Sequence, residues 1–235
     1  MEVELETKWR QYEKSIIRVC VSWYLRYALS YRDLEEMMEE RGLQLDHSTI
    51  WHWVKRYAVI LAEIIRRKAK RPNGSWRVDE TYVKVRGKWV YLYRAVDSEG
   101  QRVDFWLSSK RDTQAAKRFF KRALCNTKQA PNAITTDKNA SYPPAIESLK
   151  TEGFLPNSVV HRTNKYLNNI IEQDHRRIKR VLKGKGPFKS FRSAWRVLQG
   201  IEAFALFRKR QVCKVCNDLF QDIIHGTTVS ARLAF

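Results

Sequence analysis

The hydrophobic period changes once along the chain, and that change limits what it can fold into. From Glu13 to about Lys70 apolar residues recur at three- and four-residue spacing, as Ile16, Ile17, Cys20, Val21, Tyr24 and Leu25 do, which marks one face of a helix. Arg71-Pro-Asn-Gly-Ser75 has the composition of a linker. Beyond it, Trp76–Val85, Lys88–Val96 and Arg102–Leu107 alternate or run apolar and are rich in Val, Trp, Tyr and Phe. Arg86-Gly87 and Ser98-Glu99-Gly100 supply turns, so the three runs read as an antiparallel meander. A helix over Thr113–Leu124, a short buried strand over Ala133–Thr136, a helix over Tyr142–Glu152 and a strand over Ser158–His161 follow. A basic helix over Asn169–Leu182 comes next, then a break at Gly184–Pro187 and a last long helix over Phe188–Arg210.

Three strands, helix, strand, helix, strand, helix is the order of a ribonuclease-H-like α/β fold, a mixed sheet with flanking helices. The expected domains are therefore an all-α unit over 1–71 and a ribonuclease-H-like unit with its C-terminal helix over 72–235. In the first, Ser30 and Asp33 have capping-box spacing and start a second helix through Leu34, Met37 and Met38 that stops near Gly42. Asp46 or Ser48 can cap a third, which carries Ile50, Trp53, Val54 and Tyr57 inward. Two short helices around a Gly-containing turn read as a helix-turn-helix or as an ordinary helical hairpin. The densely basic stretch at Arg66, Arg67, Lys68, Lys70 and Arg71 favours DNA binding. Its expected contacts are Ser48, Thr49, Trp51, His52, Lys55 and Arg56.

Charge narrows the partner. With 45 Lys and Arg against 25 Asp and Glu, the 235-residue chain carries +20 at pH 7. At 43% hydrophobic it is too apolar for a disordered basic tail. Residues 161–210 hold 14 basic and 3 acidic side chains, whereas residues 1–40 hold 6 and 9. Such an uneven balance suits a polyanion, nucleic acid first and an anionic membrane surface second. No apolar run fits a membrane span, and the acidic N-terminus lacks a signal-like stretch, so a cytoplasmic, nucleoid-associated protein is expected. Four cysteines do not make a disulfide scaffold. Cys213-Lys-Val-Cys216 lacks the second pair of a zinc site, and Cys20 and Cys125 read as core.

Phosphodiester chemistry at neutral pH calls for metal ions held by a few carboxylates. Asp79 lies inside the first strand, where an ionised group is costly without a cation. Asp137 closes the short strand at Thr136, and Glu172 sits on the basic helix, with Lys179 two turns on and on the same face. Alternation points Glu80 to the face opposite Asp79, which suits a structural role. Asp97 and Asp104 read as solvated acids beside a turn, and Asp174 as facing away from Glu172. His175 fits either a phosphate or metal-bound water, or an ordinary hydrogen-bonded helix position. The tryptophans read as core except Trp51, at the start of the recognition helix.

These residues bring a resemblance into view. The chain resembles the DDE transposases of bacterial insertion sequences, specifically insertion sequence family six. The likeness covers nearly the whole chain and rests on Ser30-Tyr-Arg-Asp-Leu-Glu35, Asp46-His-Ser-Thr-Ile50, Val78-Asp-Glu-Thr-Tyr-Val-Lys84, Tyr91-Leu-Tyr-Arg-Ala-Val-Asp97, Thr136-Asp-Lys138 and the stretch 168–179. Asp137 and Glu172 stand 35 positions apart, similar to that family's spacing. The resemblance implies a catalytic, metal-binding triad of Asp79, Asp137 and Glu172, with Lys179 as the basic residue after the Glu. It implies two Mg²⁺ ions, with Mn²⁺ as a substitute. The implied partners are double-stranded DNA, as terminal inverted repeats and target, and a second copy of the chain. Strand cleavage and 3′-hydroxyl strand transfer to cointegrate-type products follow from it, while the charge of the basic helix itself puts Arg176, Lys179 and Arg180 on the DNA. Leu167 stands where some relatives carry Arg. A helix-turn-helix regulator on an inactive scaffold is the competing reading.

Overall fold

The computed structural model describes residues 12–164 and 169–209. They divide into two compact units. One takes in the chain up to Ala69, then 180–186 and the chain from Phe191 onward; the other is 70–179 with 187–190.

The first unit is helical: α1 (Lys14–Arg26), α2 (Tyr31–Glu39), α3 (His47–Lys68) and α7 (Phe191–Arg208). Two of the helix starts have a local cause. Ser30 accepts from Asp33 N–H and the Asp33 carboxylate accepts from Ser30 N–H, so the capping box at α2 forms as its spacing predicts. Asp46, rather than Ser48, caps α3 by accepting from Ser48 N–H at 2.7 Å. Ile17, Cys20, Val21, Tyr24 and Leu25 of α1 are buried, as their period requires. Helix α7 packs on α3 and α1. The last helix thus completes the helical core, whereas the sequence boundary at 71/72 had assigned it to the sheet domain. Gly200 shows why it fits: a Cβ there would lie 2.8 Å from Ala58 and Leu25 side-chain atoms. Helix α7 starts three residues later than its apolar pattern predicts, because Phe188 is drawn into a parallel bridge with Val85 in the sheet unit.

The break at Gly184–Pro187 is also a packing device. Lys185 Nζ donates to the carbonyls of Tyr24, Tyr27 (2.9 Å) and Leu29 (3.1 Å), closing the C-terminal end of α1. Gly184 lets the chain come this close: a Cβ would stand 2.0 Å from the Ala28 carbonyl oxygen. Gly184→Ala is therefore expected to cost about 3 kcal/mol or more, because backbone rather than a mobile side chain must give way. Urea unfolding would read this as a lowered midpoint. An unchanged midpoint would mean that this contact is not made.

The second unit holds β1 (Ser75–Val85), β2 (Lys88–Asp97), β3 (Arg102–Ser108), α4 (Thr113–Thr127), β4 (Ala133–Thr136), α5 (Tyr142–Thr151), β5 (Val160–Thr163) and most of α6 (Asn169–Lys183). The sheet order is β3-β2-β1-β4-β5, with β1, β2 and β3 antiparallel and β4 and β5 parallel to β1. This is the mixed ribonuclease-H-like sheet the element order called for. Arg86 and Gly87, at φ 50° and 77°, make the two-residue β1–β2 turn, the doubly left-handed geometry that hairpin twist favours. On one face, Trp76, Val78, Tyr93 and Ala95 pack against Phe119 and Phe120 of α4 and Tyr142, Ile146 and Leu149 of α5. The opposite face meets α6. No described helix is long and apolar enough to cross a membrane.

Four sequence expectations are corrected here. Asp97 is fully buried rather than solvated, and its carboxylate accepts from the N–H groups of Asn73, Glu99 and Gln101, which organises the β2–β3 turn. Asp104 is buried beside Arg122 (3.2 Å) and accepts from Asn126 at 2.8 Å. Cys125 is exposed on α4, not core. Among the described tryptophans only Trp53 and Trp76 are buried, and Trp89 is 61% exposed. Cys213, Cys216 and Leu167 lie outside the described residues.

Candidate active site

Two acids meet because of strand register. Val78 of β1 pairs with Thr136 of β4 in the parallel ladder, and the ladder stops there. The next residue on each strand, Asp79 and Asp137, therefore comes side by side at the C-terminal end of β4, where sites assemble in such sheets. Asp137 is fixed by accepting from Asn139 N–H at 3.0 Å, an Asx turn. Asp79, Glu80 and Asp137 each present a carboxylate oxygen, all within 4.8 Å of one another.

The Asp79 carboxyl is pushed up to about 7, first by burial, then by the charges of Glu80 and Asp137 and, more weakly, of Glu172. Glu172 does not join this carboxylate cluster: it stands exposed in the first turn of α6, and its charge is the weakest of the influences on Asp79. The basic side chain beside Asp79 is His175, with Nδ1 3.7 Å from Oδ2. Burial, then Arg94, lowers that imidazole to about 3, so it is neutral and supplies no counter-charge. His175 Nε2 has no hydrogen-bond partner among the described residues. An ionised Asp79 therefore lacks what a hard divalent cation provides, and the donors offered are carboxylate oxygens of the kind Mg²⁺ and Mn²⁺ take. The residues fit such an ion.

Glu80 plays a different part. It is buried, and its oxygens accept from Arg111 Nε, from Asn139 Nδ2 at 3.1 Å and from the Tyr142 hydroxyl. A carboxylate so fully engaged is a strut: it ties β1 to the Asp137 turn and to α5 while adding fixed negative charge beside Asp79.

Helix α6 is held by an ion pair that sequence reasoning missed. Arg94 is the cross-strand partner of Asp79 and is fully buried. Its guanidinium donates to the Asp174 carboxylate and, at 3.4 Å, to the Asp174 carbonyl. Arg177 also pairs with Asp174, at 2.9 Å. Ile171, Asp174, His175 and Ile178 form the inward stripe of α6, which leaves Glu172, Arg176, Lys179 and Arg180 exposed. The signal was present in Leu92-Tyr-Arg-Ala-Val96, since an arginine inside so apolar a run demands an acid.

In the helical unit, the expected DNA contacts run along α3. Ser48, His52 and Lys55 are exposed, and Thr49, Trp51 and Arg56 half-buried. Lys55 Nζ lies 4.7 Å from the Trp51 ring centroid and His52 4.6 Å from the same ring, so these side chains order one another. Glu35, Asp46 and His47 also cluster there. Asp46 serves as the α3 cap, and Glu35 accepts from His47 N–H, so this group is explained by the turn.

Comparison with known proteins bears on the family. The model of a DDE domain, of the IS240 transposase type, matches residues 73–211. The chain is 44% identical over 205 residues to the transposase for insertion sequence-like element IS431mec of Staphylococcus aureus strain Mu50, covering 87% of this chain and 89% of that one. Identity and coverage are the same for the transposase for insertion sequence element IS257 in transposon Tn4003 of Staphylococcus aureus. Among solved structures, the HTLV-2 integrase catalytic core domain in complex with magnesium matches at TM-score 0.38 and 20% identity, over 44% of this chain and 65% of that one. A family model spanning over half the chain, with relatives this similar along most of its length, settles the family: the chain belongs to the DDE transposases of insertion sequence family six and is a metal-dependent enzyme of that class.

Proposed function

We propose that the protein binds the terminal inverted repeats of its own insertion sequence, cuts a strand at each end and joins the freed 3′-hydroxyls to target DNA, giving replicative, cointegrate-type products. The observation that carries this reading is the convergence of Asp79 and Asp137 at the end of β4, beside the helix that bears Glu172, whose His175 lies 3.7 Å from Asp79. These three acids would hold the divalent ions, two Mg²⁺ or in their place Mn²⁺. When bound, such ions supply acidity to the attacking hydroxyl and neutralise charge on the leaving oxygen.

The chain's own groups do the rest. The Asn139 N–H sets the orientation of the Asp137 carboxylate, and the Glu80 strut fixes the loop that bears it. Lys179, on the Glu172 face of α6, takes a phosphate of the cut strand. Arg176 and Arg180 follow the backbone on either side of it. Ser48, Thr49, Trp51, His52, Lys55 and Arg56 of α3 contact the repeat, with Lys55 on phosphate. Two ends must be held at once, so the acting form is a homodimer or larger.

The test uses purified protein, labelled repeat ends and Mg²⁺, with strand cleavage and strand transfer scored separately. Wild type is expected to perform both, and Glu172→Gln neither, while repeat binding in a gel shift stays within about twofold. A Glu172→Gln protein that joins ends would overturn the triad. A wild type that binds the repeats but never cuts would favour the regulator reading.

A further inference from the structure

Past the part of the sheet that α4 and α5 cover, the β1–β2 hairpin continues with its aromatic face bare. Alternation puts Tyr82 and Lys84 of β1 with Trp89 and Tyr91 of β2 on the face that carries Val78 and Tyr93 farther back. There the face is core; here Tyr82 is 44% and Trp89 61% exposed. The Tyr82 ring centroid lies 5.5 Å from that of Tyr91 and 6.3 Å from that of Trp89, and Lys84 Nζ is 5.7 Å from the Trp89 centroid. Arg86 and Lys88 are exposed at the tip, and residues 81–91 contain no acid.

The hairpin is also braced. Phe188 bridges to Val85, donates from its N–H to Lys84 O at 3.1 Å and accepts from Arg86 N–H at 2.8 Å. Arg86 Nε donates to Lys189 O at 3.0 Å. Rings held on a braced hairpin lose little freedom when something stacks on them.

We propose that this face is a stacking platform for unpaired DNA bases, with Lys84, Arg86 and Lys88 on the phosphates between them. The proposal rests on the reading that strands are cut and joined at Asp79 and Asp137, because that chemistry frees strand ends. The rings are not coplanar, Tyr82 standing at 78° to Trp89 and at 56° to Tyr91, so each offers its own π-face; exposed rings with cations between them match a ligand of flat rings on an anionic backbone. Duplex DNA hides its base faces and would use the cations alone. A second copy of this chain, at +20, would bring like charge to a rim that has no acid. Lys84 lies five residues beyond Asp79 on β1, roughly 17 Å at about 3.4 Å per residue, and its side chain leaves the opposite face of the strand, so a flank must round the hairpin and about five base steps is the shortest path.

The test has two arms. Repeat-end duplexes carrying a single-stranded flank, with 5-iododeoxyuridine at successive flank positions, are irradiated with full-length protein and the cross-linked peptide is sequenced. Cross-links to Trp89 or Tyr82 are expected from bases about five or more nucleotides from the cut, and not when the same bases are paired. In metal-free anisotropy titrations, Trp89→Ala is expected to weaken binding of the flanked DNA about tenfold and leave blunt duplex unchanged, while Trp89→Phe stays near wild type. Cross-links confined to other peptides would overturn the platform, as would equal effects on flanked and blunt DNA or no effect on either. Reduced self-association of Trp89→Ala with unaltered flank affinity would also overturn it, in favour of a contact between copies. The titrations need no cleavage, so an inactive wild type would sink the transposition reading without deciding this one.

Discussion

An Asp79→Asn protein is expected to cut no DNA and, in metal-free buffer at pH 8, to melt at a higher temperature than wild type. The carboxyl titrates near 7 in the folded state against 3.8 as its ordinary value. Above pH 7 the fold holds an ionised group in a buried, negative setting and bears the full cost. As pH falls from 7 towards 4 the folded form takes up a proton that the unfolded form does not, and the cost disappears. About three units correspond to an upper bound of about 4 kcal/mol. From this group, then, metal-free wild type gains stability between pH 8 and pH 5, and the amide variant lacks that slope. Mg²⁺ should raise the wild-type melting temperature at pH 8 and leave the variant's nearly unmoved. Thermal melts across pH, with and without metal, check all of this. A variant melting below wild type at pH 8 would show that Asp79 is not held against its charge.

Breaking the Arg94–Asp174 pair should produce the largest stability loss of any single polar substitution in the sheet unit. Asp174→Leu leaves the buried guanidinium without its carboxylate and is expected to cost about 3–5 kcal/mol. Arg94→Met combined with Asp174→Leu should recover most of that loss, because the pair is then replaced by apolar volume. The double variant keeps the fold but loses the polar clamp on the helix that carries Glu172. Its Mn²⁺ affinity, read by the electron paramagnetic signal of free ion, should fall by about tenfold. Urea midpoints for the three proteins decide the first part. Equal midpoints for Asp174→Leu and wild type would rule the clamp out.

What could be read from the sequence was local. Ser30 with Asp33, Asp46 before α3, and the change of period after Arg71 each name their structure within a few residues. The order of strands and helices then leaves few sheets to choose from. What failed depended on distant partners. The β5 strand begins at Val160 rather than Ser158, because pairing with Ala133 sets its register while Val159 drops into the core. Asp97 and Asp104 flank a turn, which looks like solvent until Asn73, Arg122 and Asn126 arrive from elsewhere. Arg94 announced that it needed an acid, but not that the acid lay 80 residues away. Of the site, Asp79 and Asp137 follow from a strand interior and a strand end. The engagement of Glu80 by Arg111 and Tyr142 is purely tertiary.

The β1–β2 turn has a consequence for anyone who evolves this protein in the laboratory. Arg86 occupies a left-handed position at φ 50°, where Asn or Gly is at ease and a long side chain is not. Selection for heat resistance alone would enrich Asn at 86, since relief of the left-handed backbone outweighs the single exposed hydrogen bond that Arg86 Nε gives to the Lys189 carbonyl. Each such clone would carry one fewer cation at the hairpin tip. Thermostable libraries of this chain should therefore drift towards weaker grip on nucleic acid, and counter-selection for DNA retention is needed to hold the two properties together.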